Sequence, residues 1–182
     1  MRLEFEPNAL TQTLNTAVFF DDNVDVAQAQ DFLRSGIKAA QASNRAEARR
    51  FLMRAAEIDP RNETAWFWLA STSEYPEELL FFLNSVLDIN PDNARAHEWL
   101  KATKSLLASN FVQRGIEAVN AEQKDFAKQC FFQAADYDAK NELAWLWLAF
   151  VSEPHEEKRV HLEKVLSVNP ENEDARKALN DV

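Results

Sequence analysis

The chain has 182 residues, with 30 acidic and 20 basic side chains, three histidines, two glycines, six prolines and one cysteine. So few turn-formers exclude a multi-stranded sheet, and a formal charge of -10 argues against nucleic acid, whose recognition rests on clustered Lys and Arg. No apolar run approaches the roughly 20 residues that span a bilayer, so membrane insertion is not expected.

Residues 1–23 open the chain with MRLEFEPNALTQTLNTAVFF, which has two glutamates and a proline where a secretory signal needs a basic start and an apolar core. A short helix after Asn8 is expected here. Leu14, Val18, Phe19 and Phe20 make the segment apolar enough to dock, either as a cap on the residues that follow or in a groove, its own or a partner's.

From residue 32 the chain is written twice. Residues 32–96 reappear at 111–175 with a constant offset of 79: Phe32, Gly36, Ala48, Ala55, Trp66, Trp68, Leu69, Ala70 and Pro91 return as Phe111, Gly115, Ala127, Ala134, Trp145, Trp147, Leu148, Ala149 and Pro170. A fixed period of this kind defines a repeat protein. Each unit reads as four helices, punctuated in the first by Asp59-Pro60-Arg61-Asn62, Tyr75-Pro76 and Asn90-Pro91-Asp92-Asn93. Proline disfavours helical geometry in the residue before it, and Asn62, Asn93, Asn141 and Asn172 are placed to cap the next helix through their side-chain oxygens. Arg45, Arg49, Arg50 and Arg54, interleaved with Glu47 and Glu57, read as a solvated helix face.

Between the units, residues 93–120 run without proline and with apolar residues three and four apart. They form either one long helix or two helices broken near Ala108-Ser109-Asn110, where Ser109 or Asn110 would cap; the break is slightly favoured. Cys130 lies in the apolar stretch CFFQAA and reads as a core thiol in a reducing cytosol. Residues 172–182 are expected to form a last helix covering the open end of the stack. Residues 24–182 thus form a single repeat domain, with units at about 29–107 and 108–182, preceded by the extension 1–23.

Chemistry-bearing motifs do not emerge. His155-Glu156-Glu157-Lys158-Arg159 begins like a zinc-protease helix but places Arg159 where the second ligand is needed, and His161 is off that face, so surface histidines beside carboxylates are the plain reading. Glu77-Glu78 and Glu156-Glu157 sit at helix starts, where carboxylates favour the positive end of the helix dipole. Catalysis, cofactor and metal are not expected.

The spacing of Phe32, Gly36, Ala48, Leu52, Ala55 and Pro60 resembles the tetratricopeptide repeat. Trp66, Leu69, Ala70 and Pro91 continue the pattern in a repeat three residues short, and Phe111, Gly115, Ala127, Phe131 and Ala134 begin it again with Ala139 where the closing proline is absent, so a looser turn is expected there. Trp145, Leu148, Ala149 and Pro170 complete a fourth repeat, equally shortened. The resemblance spans residues 29–171. It implies an all-α, right-handed superhelical stack of antiparallel helix pairs, about four repeats plus a C-terminal capping helix. The Ala-Trp-x-Trp-Leu-Ala cassette is similar to those of bacterial repeat proteins, which implies a cytoplasmic protein of bacterial origin.

The same resemblance places Leu33, Ile37, Phe67, Ser71, Val112, Ile116, Leu146 and Phe150 on the concave wall. Trp66 and Trp145 are expected in the core, with Trp68 and Trp147 divided between packing and groove. The Lys, Arg and Asn with which family members grip acidic chaperone tails are missing from the wall. An apolar wall suits an amphipathic helix or an extended apolar segment. The expected function is a scaffold or adaptor for another protein; the alternative is self-association into homo-oligomers through the groove or the stack ends.

Overall fold

The computed structural model describes residues 22–153 and 155–181, and all regular structure among them is helical. In chain order the described helices are α1 (Asp22–Gln41), α2 (Arg45–Ile58), α3 (Glu63–Thr72), α4 (Pro76–Ile89), α5 (Ala94–Asn120), α6 (Lys124–Tyr137), α7 (Glu142–Val151), α8 (His155–Val168) and α9 (Glu173–Asn180). The helix expected after Asn8 lies outside the described residues. Two compact units divide the chain, one ending at Ala65 and the other beginning at Trp66, within α3.

In the first unit α1 packs on α2, and Gly36 sets how closely. A Cβ at residue 36 would lie 2.6 Å from Cγ and 2.8 Å from Cδ2 of Leu52, so the helices approach only because that atom is missing. Ala48, Leu52 and Ala55 are fully buried, and Phe32 stacks on Phe51 with ring centroids 6.2 Å apart. The turn into α2 uses Ser43 at a positive φ of 60°, and Asn44 caps the helix by accepting from the Glu47 amide at 3.3 Å.

The second unit repeats this contact. Gly115 of α5 faces Phe131 of α6, and the turn between them uses Glu122 at φ 59°, the residue 79 positions after Ser43. Neither turn has glycine at its left-handed position, which costs roughly 1 kcal/mol in each. Backbone bonds from Ser43 to Ala40 and from Glu122 to Val119 hold both turns in the same form.

Residues 94–120 form one 27-residue helix, which corrects the favoured break near Ala108. Ser109 caps nothing; its hydroxyl donates to the Ser105 carbonyl at 2.9 Å inside the helix, and Ala108 is fully buried. Packing decides here, because α5 lies against α4 as well as α6 and α7. The duplication boundary at 107/108 therefore falls in mid-helix.

All four expected caps form. The Asn62, Asn93, Asn141 and Asn172 side chains accept from the amides of Ala65, Ala96, Ala144 and Ala175 at 3.1, 2.9, 3.0 and 2.8 Å. The turn at Ala139 is not looser than its proline-bearing counterpart. Asn141 N donates to the Asp138 carbonyl at 2.9 Å as Asn62 N does to Asp59 at 3.1 Å, and Asp138 also accepts from Lys140 N at 3.0 Å. The Asp-x-x-Asn frame makes the turn, so proline is dispensable.

Candidate protein-binding surface

The expected wall residues fall into three environments. In the first unit Leu33 and Ile37 are half-buried on α1. The cleft on the neighbouring surface, about 410 Å³, is lined by Phe32, Phe51, Met53, Arg50, Arg54 and Glu57. Its arginines are partly occupied: Arg54 pairs with Glu57 at 3.0 Å, and the Arg50 guanidinium lies 5.3 Å from the Phe51 ring centre.

In the second unit Val112 is only 5% exposed and belongs to the core with Ala108, Phe131 and Leu148. Phe67 is half-buried because Trp99 of α5 covers it, with centroids 5.1 Å apart, and Arg95 lies 4.8 Å over the Phe67 ring. Leu146 packs against the core formed by Ala149, Leu162, Val165 and Ala175. Ile116 is half-buried against the α5–α6–α7 core.

Ser71 and Phe150 are the two expected residues that lie open. Ser71 turns its hydroxyl back to the Trp68 carbonyl at 2.8 Å, whereas Phe150 is 69% exposed and meets Trp147 edge-on at 5.4 Å. Trp147 in turn stacks on the fully buried Phe131, centroids 5.6 Å apart and planes within 10°. One face of α7 thus carries an aromatic platform rooted in the core. Leu143, 57% exposed and one helical turn before Trp147, extends it. Sequence reasoning passed over Leu143; the signal was available in the duplication, where its counterpart is Thr64.

Trp66 and Trp145 are half-buried rather than fully interior. Trp66 packs on Phe81 and Phe82, and Trp145 donates its indole N–H to the Ala139 carbonyl at 2.9 Å while stacking on His161. His161 itself corrects the expectation of surface histidines. It is 5% exposed, in the position that Phe82 takes in the first copy, with Phe132 edge-on at 5.7 Å. Neither ring nitrogen has a hydrogen-bond partner, and Nε2 lies 4.0 Å from Glu157. Burial pushes the imidazole below its ordinary value; Glu157 opposes this and Lys128 adds to it. Lys128 pairs with Glu157 at 2.6 Å, which holds that carboxyl below its usual range.

Cys130 is buried, and burial pushes its thiol up. Among the described residues no group of three or more His, Cys, Asp or Glu is placed to hold a metal, and no helix is long and apolar enough to cross a membrane.

The helices, caps and small-residue contacts define an all-α repeat protein built of helix pairs. Comparison with known proteins gives structural likeness alone. No family model matches the chain, and no curated protein matches it. Among solved structures, MamA is 16% identical over 84% of this chain and 79% of its own, with a TM-score of 0.40. TTC0263, a tetratricopeptide-repeat protein of Thermus thermophilus, is 19% identical over 84% of this chain and 97% of its own, with a TM-score of 0.38. YrrB, a repeat protein described as having an unusual peptide-binding site, is 14% identical over 89% and 81%, with a TM-score of 0.38. Likenesses of this size carry no argument about partner or site.

Proposed function

We propose that the chain is a non-catalytic scaffold that holds a helical or extended apolar segment of another protein along the face formed in the second unit by α3, α5 and α7. A similar face of α1, with Leu33 and Ile37, serves in the first unit. The exposed Phe150 beside Trp147 is the observation that carries this reading. A soluble monomer gains nothing from holding a large aromatic ring in water, and burying it against a partner would contribute about 1.5–3 kcal/mol before ordering costs. The buried thiol of Cys130 suits a cytoplasmic setting.

Site-specific photocrosslinking in extract of the source cells tests the reading. A benzophenone side chain at residue 150 or 71 is expected to give a discrete adduct with a second protein. The same probe at Asn84 or Gln133, exposed on α4 and α6, is expected to give none. Adducts from positions 84 and 133 alone would move the site to those helices, and adducts only between copies of the chain would replace the scaffold reading with self-association.

A further inference from the structure

The duplication places a titratable group where the other copy has a phenylalanine. Phe82 of α4 is 3% exposed and packs on Trp66; its counterpart on α8 is His161, 5% exposed and stacked on Trp145. The fold accepts phenylalanine at this position, so packing does not call for an imidazole. Neither ring nitrogen of His161 has a hydrogen-bond partner, so polar bonding does not call for one either. What distinguishes this side chain from Phe82 is that it can take up a proton near neutral pH.

Its surroundings decide what the proton does. Lys128 and Phe132 face the ring from α6, the uncharged Trp145 from α7, and Glu157 from α8 itself. Glu157 is already engaged: Lys128 holds it at 2.6 Å, whereas His161 Nε2 stands 4.0 Å away. An imidazolium here puts two cations on one half-buried carboxylate, with the new charge lodged between aromatic rings. Burial and then Lys128 push the imidazole below its ordinary value against the pull of Glu157, so acid favours any arrangement in which the ring reaches water.

Held between Phe132 and Trp145, the ring reaches water when the first half of α8 moves off α6. That half is tied to α6 by the Lys128–Glu157 ion pair and the Phe132–His161 edge contact, and the exposed Lys124–Glu153 pair ties α6 to the residue two places before α8. The second half is held differently. Leu162 and Val165 are buried with Ala149 and Ala175, and Glu142 of α7 accepts from Asn169, just past the end of α8, at 3.0 Å. The acid-sensitive contacts thus lie in one half of the helix and the apolar ones in the other.

We infer that His161 is the trigger of an acid-operated latch: protonation of its ring releases residues 155–161 from α6 and bares Phe132 and Trp145, while α5, α6 and α7 stay packed. The latch belongs to the second copy alone, because Phe82 does not titrate. It makes the surface of the second unit responsive to pH and does not depend on what the unit binds.

Amide hydrogen exchange on the intact chain between pH 7 and 5.5, corrected for the intrinsic pH dependence of exchange, measures the latch. The opening constant at residues 157–161 is expected to rise at least about threefold, the effect of one proton taken up below the ordinary 6.5, while that at residues 127–134 of α6 is unchanged. His161→Phe, which copies Phe82, should abolish the rise. Lys128→Met, which leaves Glu157 free to pair with the imidazolium, should shrink it. Circular dichroism and melting check that both variants fold. An unchanged opening constant in the parent, or an equal rise in His161→Phe, overturns the inference. An equal rise at residues 127–134 also overturns it, because acid then loosens the whole unit rather than a latch. An undiminished rise in Lys128→Met overturns the competition of two cations for one carboxylate on which the trigger rests.

Discussion

Replacing Gly115 by alanine is expected to destabilise the second unit by about 1–2 kcal/mol, although alanine is the better helix former by about 1 kcal/mol. The added Cβ would meet Phe131 at Cε1 and lie 2.7 Å from Cδ1 and from Cζ. Comfortable carbon contacts are about 3.5–4.0 Å, so the overlap approaches 1 Å. Phe131 is fully buried and stacked flat on Trp147, and the ring can withdraw only by opening that stack. Overpacking of this kind costs about 1–3 kcal/mol, and the pinned ring places it in the upper part of that range, which leaves a net loss after the helical gain. Urea unfolding followed by tryptophan fluorescence measures it. Phe131→Leu, which installs the residue that faces Gly36 in the first copy, is the companion variant. Each single substitution should be destabilising, and the double variant should lose less than their sum by at least about 0.5 kcal/mol. A Gly115→Ala protein as stable as the parent, or additive behaviour in the double variant, would refute the idea that this glycine sets the helix separation.

His161→Phe, which copies Phe82, removes a buried imidazole lacking hydrogen-bond partners and should raise stability by about 1 kcal/mol or more, read from the same urea transitions. The parent should also lose stability as pH falls. Its folded imidazole is depressed below the ordinary 6.5, so between 6.5 and the folded value the unfolded chain binds more protons and is favoured. Glu157 is depressed from 4.5, and its contribution is present above that value and lost as pH falls through the folded one, so the window just below pH 6.5 belongs to His161. Parent and His161→Phe melts should diverge there, and parallel curves would contradict the assignment. Glu142→Ala should cost about 1–2 kcal/mol, because Glu142 accepts from Asn169 at 3.0 Å and from Asn172 at 2.6 Å and so ties the start of α7 to the turn before α9. Faster amide exchange at Ala175–Leu179 is the specific readout, and unchanged protection would show that the clamp is unimportant.

Much of the fold was legible because its signals are local. The four asparagine caps, the helix starts at Pro76 and Glu142, and the small residues at 36, 48, 55 and their duplicates are set by near neighbours in sequence, and each formed as the spacing implied. The continuity of α5 was not legible in the same way: Ser109 and Asn110 are acceptable caps, and only neighbouring helices packed along α5 decided that the helix runs through them. The candidate wall was half legible. Register along α1, α3, α5 and α7 assigned a direction to each residue but not what stands in front of it, so Val112 entered the core and Phe67 was covered by Trp99, while Phe150 stayed open.

The sequence by itself determined that the chain is a duplicated helical repeat, where its helices start and stop, and which small residues lie between them, because period, capping and helix pairing depend on residues within a turn or a repeat of one another. The tertiary structure alone decided which apolar side chains remain in water and which histidine does not. Exposure of Leu143 and Phe150 and burial of His161 depend on how distant helices close over them, and that is a property of the packed unit rather than of any stretch of chain.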